Sequence, residues 1–195
     1  ENMQNNNLQS VYDTWWAKVN QFLQTYLCVN ASYSGSKVSG NNFPAANSIE
    51  RISSLHTPKI SPDVILVYIG FNDFGYGVPI KRNTFLRKDP SCFQDAYRLM
   101  LQRLKKQYPN AKIICGTLMK SYIKEKVEWR FPDLLNNIPF EEYNVAIRDN
   151  CKHKRCILAD LASLNILYET LDGTHPTKNG HQTIANAWIS LLKLN

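Results

Sequence analysis

An aspartate and a histidine three positions apart are the strongest catalytic candidates in this chain. Asp172 and His175 lie in a short segment of sequence LDGTHP at 171–176. At this spacing the carboxylate of Asp172 can reach one imidazole nitrogen of His175 and fix the tautomer of the ring. The other nitrogen is then available as a general base. Since Asp-His pairs are also common on protein surfaces, the spacing alone is a weak signal.

An asparagine that follows an apolar run is the second candidate. Residues 64–69 are apolar without interruption, and Gly70, Asn72 and Asp73 come directly after them. A short, β-branched run predicts a parallel strand buried on both faces, and ligands bind beyond the carboxyl ends of such strands. The Asn72 amide can donate a hydrogen bond to a developing oxyanion. The alternative is an Asn-Asp turn that only closes the strand.

Helix and strand patterns alternate along the chain. Helices are predicted at 11–26, 49–55, 92–108, 140–151 and 179–194, with Ser91 as the cap of the third, and strands at 26–29, 64–70, 111–117 and 156–161. This order predicts a three-layer α/β/α sandwich around a mainly parallel sheet. Because Asn72 and the Asp172–His175 pair each follow a predicted strand, we expect them at the same edge of the sheet.

Two long segments, at 71–90 and 119–139, are predicted to be irregular. Long loops in compact domains are often functional. The first segment is rich in aromatic residues, namely Phe74, Tyr76 and Phe85. The candidates for lining an acyl or sugar pocket are Tyr76, Tyr122, Trp129 and Phe131.

Three segments resemble sequence blocks of the SGNH (GDSL-type) esterases and lipases. Residues 29–35 resemble the second block, whose glycine, here Gly35, lends a backbone amide to the oxyanion hole. The Gly-x-Asn-Asp segment at 70–73 resembles the third block, whose asparagine, here Asn72, is a further donor. The segment at 172–176 resembles the fifth block, which carries the triad acid and base, Asp172 and His175. Asp73 and Gly70 are then supporting residues.

The resemblance covers the chain from about residue 11 onward and implies a flavodoxin-like sheet. It also implies ester hydrolysis through a serine acyl-enzyme. The chain departs from the family at the first block, a strand ending in Gly-Asp-Ser, because no such segment occurs in the sequence. Ser10 lies in a polar, Asn-rich stretch, while Ser32, Ser34 and Ser36 belong to the second block, so none fits as nucleophile.

In this family, the missing first block forms a strand in the centre of the sheet, with neighbouring strands on both sides. Its removal would leave unpaired backbone groups in the core, which is costly. We therefore expect a single domain over 1–195 that lacks its first strand, and a Gly-Asp-Ser strand shortly before Glu1 that supplies the nucleophilic serine.

Composition favours an ordinary globular protein. The chain has 195 residues, of which 44% are hydrophobic, and a net charge of +7. Its basic residues are dispersed, so a solvated surface is favoured over a nucleic-acid interface. The five cysteines form no CxxC motif and predict neither a disulfide framework nor a metal site. Cys151 and Cys156 are close enough in sequence to pair in an oxidising compartment.

The expected partner is a small-molecule ester, either a simple ester or a carbohydrate with short acyl groups such as acetyl. No cofactor, metal, nucleic acid or membrane span is predicted. The polar start carries no signal peptide, which favours the cytoplasm, and secretion stays open if a leader has been removed. The alternatives are a non-catalytic binding protein of the same fold and a basic nucleic-acid-binding domain. The oligomeric state is left open.

Overall fold

The computed structural model describes residues 7–81, 89–126 and 128–192. Within these ranges, helices are interspersed with mainly parallel strands, which confirms the predicted α/β class. The helices are α1 (Trp15–Phe22), α2 (Ile49–Ser53), α3 (Phe71–Gly75), α4 (Phe93–Gln107), α5 (Phe140–Lys154) and α6 (Lys178–Leu192). The strands are β1 (Val64–Val67), β2 (Lys112–Gly116), β3 (Ser121–Ile123), β4 (Leu134–Leu135), β5 (Ile138–Pro139), β6 (Ile157–Ala159) and β7 (Tyr168–Thr170).

The described residues divide into two units, each built from separate stretches of chain. The first unit takes its residues from Glu1–Leu27, Met119–Pro132 and Ala159–Asn195. The second unit takes its residues from Cys28–Leu118 and Asp133–Leu158. That the whole chain acts as one domain stays a prediction.

A three-stranded sheet has the order β1-β2-β6, and its strands β1 and β2 lie in the second unit. β1 runs parallel to β2, with Val64 opposite Lys112 and Val67 opposite Cys115. Along β1, Ile65 is buried but Val64 is exposed. The prediction that this strand is buried on both faces is therefore wrong: alternate side chains point to opposite faces, and only one face is fully covered.

Helices α4 and α5 pack together in the second unit. Phe93 of α4 and Tyr143 of α5 are both fully buried, and their rings meet edge to face with centroids 4.9 Å apart. Cys92 occupies the N-cap position of α4, so the prediction of Ser91 as its cap is wrong. The Ser91 hydroxyl instead donates to Asp89 Oδ1 at 2.6 Å.

In the first unit, β3 and β7 form a parallel pair, with Ser121 opposite Tyr168 and Ile123 opposite Thr170. Helix α6 lies directly on β7, because a Cβ added to Gly180 would stand only 1.9 Å from the Glu169 carbonyl oxygen. Helices α1 and α6 also pack together. Trp15 and Trp188 stack with centroids 5.6 Å apart, and Trp188 is fully buried.

Several predicted boundaries are wrong. No strand forms at 26–29, where Tyr26 is 99% exposed. Instead of one helix over 11–26, a single 3-10 turn at Val11–Asp13 precedes α1, which ends at Phe22. The segments predicted as irregular contain α3 and β3 to β5, and β7 follows the strand that was predicted to be the last. Phe85 lies outside the described residues.

Among the residues that the structure describes, no helix is both long and apolar enough to cross a membrane.

Candidate active site

The predicted contact between Asp172 and His175 is present in the loop between β7 and α6. Nδ1 of His175 lies 2.7 Å from Oδ2 of Asp172. The other oxygen, Oδ1, accepts the backbone N–H of His175 at 2.9 Å and that of Thr174 at 3.0 Å. One carboxylate therefore fixes both the imidazole ring and the backbone that carries it.

Asp172 has the negative charge that a carboxylate needs in order to orient an imidazole. Partial burial by itself raises its pKa, but hydrogen bonds from the backbone and imidazole of His175 and from the Thr174 N–H hold the pKa well below the usual value. The carboxylate is thus ionised at neutral pH and accepts a proton-bearing Nδ1, which leaves Nε2 of His175 as the basic nitrogen. Both side chains are about half exposed, at 53% for His175 and 54% for Asp172.

The loop that carries the pair is fixed through Gly173. Its N–H donates to Thr170 Oγ1 at 3.0 Å, and its carbonyl oxygen accepts the buried Ser121 hydroxyl at 2.6 Å. Thr170 Oγ1 in turn donates to the Tyr122 carbonyl oxygen at 2.7 Å. Hydroxyl groups of β3 and β7 thereby hold the glycine that separates Asp172 from Thr174. Neither Ser121 nor Thr170 could be identified from the sequence, because a lone hydroxyl residue shows no pattern.

Trp129 packs against this loop. A Cβ added to Gly173 would lie 2.8 Å from the Trp129 ring. The glycine also has a φ of +99°. Both the contact with Trp129 and this backbone conformation therefore disfavour any side chain at position 173. Trp129 also meets Phe131 edge to face with centroids 6.2 Å apart. Of the aromatic residues predicted to line a pocket, Trp129 is therefore placed beside the Asp172–His175 loop.

In the second unit, the segment after β1 contacts the loop that carries Gly35. Asn72 lies in the first turn of α3, and its side-chain Nδ2 donates to the carbonyl oxygen of Ser36 at 2.9 Å. The same nitrogen carries a second hydrogen that this bond does not use. Gly70 begins the segment with a φ of +144°, and an added Cβ would lie 3.0 Å from Leu118.

Asp73 joins the same two segments more strongly. Its side chain is fully buried, and it accepts the backbone N–H groups of Val38 at 2.7 Å and Ser39 at 3.0 Å. Burial raises the pKa of Asp73, and the two backbone hydrogen bonds oppose that rise. The side chains of two consecutive residues, Asn72 and Asp73, thus hold successive backbone groups of residues 36–39.

Gly35 occupies an exposed turn that a buried arginine supports. Gly35 has a φ of +68° and nothing within 4 Å of an added Cβ. Arg51 Nη2 donates to the Ala31 carbonyl oxygen at 2.8 Å, and Nη1 donates to Ser36 Oγ at 3.0 Å. Burial lowers the pKa of this guanidinium. Arg51 could not be identified from the sequence, because its partners are mostly backbone carbonyl groups, which leave no signature in a sequence.

The site residues predicted from the sequence thus fall into two sets. Asp172 and His175 meet each other in the first unit, while Gly35, Gly70, Asn72 and Asp73 lie in the second unit. His181 is buried, and its Nδ1 accepts the Trp15 backbone N–H at 3.2 Å.

Comparisons with known proteins agree on one family. A family model described as GDSL-like lipase/acylhydrolase matches residues 1–192. No curated protein sequence gives a significant match.

Solved structures show the same fold. A protein from Bacteroides ovatus described as a GDSL-like lipase is 23% identical, with 96% of this chain and 82% of that chain covered and a TM-score of 0.70. A second from Bacteroides uniformis, with the same description, is 27% identical, with coverages of 95% and 79% and a TM-score of 0.67. A protein from Chitinophaga pinensis described as a possible lipase is 17% identical, with coverages of 92% and 88% and a TM-score of 0.68.

Proposed function

The chain belongs to the GDSL-like lipase/acylhydrolase family, and we propose that it hydrolyses carboxylic esters with His175 as the general base. The observation that supports this most directly is the 2.7 Å contact between His175 Nδ1 and Asp172 Oδ2. An imidazole oriented in this way by an ionised carboxylate is the base of a serine hydrolase triad. Family membership supports ester hydrolysis in general, and the residue roles are our proposal.

In the proposed reaction, Nε2 of His175 removes the proton from a serine hydroxyl as its oxygen attacks the ester carbonyl carbon. Asp172 stabilises the imidazolium that forms. The imidazolium then protonates the leaving alcohol, and a second cycle with water releases the acid and restores the serine.

Two donors of the second unit are proposed to stabilise the oxyanion. These are the backbone N–H of Gly35 and the second hydrogen on Asn72 Nδ2, and Asp73 holds their segments together. Each donor of this kind contributes about 2.7–4 kcal/mol to the reaction barrier. The proposal requires that these donors and His175 act on the same ester.

The nucleophile is not assigned to a serine of residues 1–195, because they contain no Gly-Asp-Ser segment. The proposed substrates are small esters, including short acyl groups on carbohydrates. Trp129, beside the Asp172–His175 loop, offers an aromatic face against which a sugar ring or an acyl chain can pack.

The test uses the full-length protein as its gene encodes it. Hydrolysis of p-nitrophenyl acetate and labelling by a fluorophosphonate are measured for the wild type, His175→Ala and the control His153→Ala, which changes an exposed histidine of α5. We expect His175→Ala to lower kcat at least about 1,000-fold and to prevent labelling, and His153→Ala to behave as wild type. Equal turnover of all three proteins would refute the role of His175.

A non-catalytic binding protein of the same fold is the second candidate, because the family's nucleophile block is missing from the sequence. Full-length protein that neither turns over p-nitrophenyl acetate nor reacts with the fluorophosphonate, yet stays folded, would favour this candidate over the hydrolase.

A further inference from the structure

Two aromatic side chains near Gly35 form a partly exposed pair in the second unit. The rings of Tyr33 and Phe43 meet edge to face, with centroids 4.8 Å apart and an interplanar angle of 79°. Tyr33 is 39% exposed and Phe43 is 49% exposed. The Ser36 N–H donates to the Tyr33 carbonyl oxygen at 3.2 Å, which closes a turn with Gly35 inside it. Tyr33 therefore belongs to the same turn as the proposed oxyanion donor.

One guanidinium group supports both members of the pair. Arg51 lies against the ring of Tyr33, with Cζ 5.0 Å from the ring centroid. Its Nη1 also donates to the carbonyl oxygen of Pro44, the residue after Phe43, at 2.7 Å. The two rings are thus held in place before any ligand arrives. A surface prearranged in this way loses little conformational entropy on binding.

The surface around the pair is polar and nearly uncharged. Residues 30–36 and 38–44 contain no charged side chain. The charged residue between these segments is Lys37, whose ammonium lies 5.1 Å from the centroid of the Tyr76 ring. Four residues with neutral hydroxyl or amide side chains are exposed in the two segments, namely Ser32, Ser34, Asn41 and Asn42.

This combination suits a sugar ring better than an acyl chain. A sugar has C–H groups that pack against an aromatic ring and hydroxyl groups that bond to amides and hydroxyls. Sites for apolar ligands are concave and lined mainly by apolar side chains, whereas Tyr33 and Phe43 are partly exposed and have polar neighbours. Because neither segment carries a charge, a neutral ligand is favoured over an ionic one.

We propose that Tyr33 and Phe43 bind the sugar ring of a neutral, acylated carbohydrate. This inference rests on the proposed function, because the ester carbonyl oxygen of the same molecule is taken to bind at the Gly35 N–H. The two rings make and break no bond in the reaction. They are specificity-determining residues, which select the alcohol part of the ester.

The first test measures binding of the sugar alone, so that it does not depend on hydrolysis. Methyl β-glucoside is titrated into the full-length protein and followed by saturation-transfer difference NMR. We expect Tyr33→Ala and Phe43→Ala to raise the dissociation constant about 3- to 10-fold, because a stacking contact is lost. Tyr33→Phe, which keeps the ring, should bind as the wild type does.

The matched control is Tyr26→Ala, which removes a tyrosine of the first unit that is 99% exposed. We expect this variant to bind the glucoside as the wild type does. Absence of binding to the wild type, or equal dissociation constants for the wild type, Tyr33→Ala and Phe43→Ala, would overturn the proposal.

The second test compares two acetate esters, the monoacetate of methyl β-glucoside and ethyl acetate, which has no ring. We expect Tyr33→Ala and Phe43→Ala to raise KM for the sugar ester about 3- to 10-fold and to leave kcat/KM for ethyl acetate unchanged. An equal loss with both esters would mean that the variants displace the Gly35 turn, and would refute a sugar site. A raised KM for ethyl octanoate alone would assign the pair to the acyl chain and refute it as well.

The two tests separate this inference from the proposed function. A wild type that hydrolyses neither ester, yet binds the glucoside through Tyr33 and Phe43, would refute the hydrolase and support the sugar site. A wild type that hydrolyses both esters, with no effect of either substitution, would support the hydrolase and refute the sugar site.

Discussion

The side chain of Asn72 donates a hydrogen bond to the backbone carbonyl oxygen of Ser36 across 2.9 Å. The bond joins the first turn of α3 to the residue after Gly35, although the two positions are 36 residues apart in sequence. It also orients the amide, because one hydrogen of Nδ2 points to Ser36 and the direction of the other is thereby fixed. Such preorganisation is what an oxyanion donor needs.

Replacement of Asn72 should lower the activity strongly and the stability only slightly. We expect Asn72→Ala to lower kcat for p-nitrophenyl acetate about 100- to 1,000-fold, because one oxyanion donor is lost. The lost hydrogen bond to Ser36 should cost only about 0.5–1.5 kcal/mol of unfolding free energy. Steady-state kinetics and urea unfolding measure the two quantities. The control is Asn186→Ala on the exposed part of α6, and undiminished turnover of Asn72→Ala would exclude Asn72 from the mechanism.

Gly70 should tolerate no side chain. An alanine there must adopt a φ of +144° and place its Cβ 3.0 Å from Leu118 and 3.2 Å from Phe93. We expect Gly70→Ala to lower the unfolding free energy by about 1–3 kcal/mol.

Gly75, at the other end of α3, provides the matched control, since nothing lies within 4 Å of its added Cβ. Gly75→Ala should be neutral or stabilising by up to about 1 kcal/mol. Equal unfolding free energies for the two variants in urea would contradict the steric account.

Elements with a long, regular apolar pattern could be predicted from the sequence. Helix α4 and strand β2 appear close to their predicted positions because their buried residues recur at helical spacing or in an unbroken run. The contact between Asp172 and His175 could also be predicted, since a separation of three in a tight loop restricts how far apart the side chains can lie.

Short polar strands could not be predicted in this way. β3 and β7 have only three residues each and include Ser121, Glu169 and Thr170, whose side chains bond within the unit instead of forming an apolar face. Conversely, the apolar run at 26–29 lacks a partner strand among the described residues, so its composition alone did not make it a strand. The role of Arg51 depends on carbonyl groups that every residue carries.

Asp172 should make unfolding dependent on pH in acid. Its pKa is lower in the folded state than the ordinary value of 3.8, so folding is favoured where the carboxylate is ionised. This contribution is present above about pH 4 and is lost as pH falls toward the lowered pKa. We expect Asp172→Asn to be less stable than wild type at pH 7, with a difference that shrinks at pH 3.

Unfolding in urea at both pH values measures this difference. Asp63→Asn is the control, because Asp63 is exposed and makes no comparable pair with a histidine. A difference between wild type and Asp172→Asn that grows as the pH is lowered would reverse the sign expected from the geometry.

Ser121 should act on catalysis through position alone. Its hydroxyl holds the carbonyl oxygen of Gly173 at 2.6 Å, and it touches neither Asp172 nor His175 directly in the described contacts. Since a displacement of about 1 Å in a catalytic group can cost about 100-fold in rate, we expect Ser121→Ala to lower kcat by 10- to 100-fold at an unchanged KM. Ser121→Thr, which keeps the hydroxyl, should recover part of the loss.

The control is Ser190→Ala, which removes a hydroxyl that donates within α6, to the Ala187 carbonyl oxygen. If Ser121→Ala raises KM and leaves kcat unchanged, Ser121 shapes substrate binding and does not position His175.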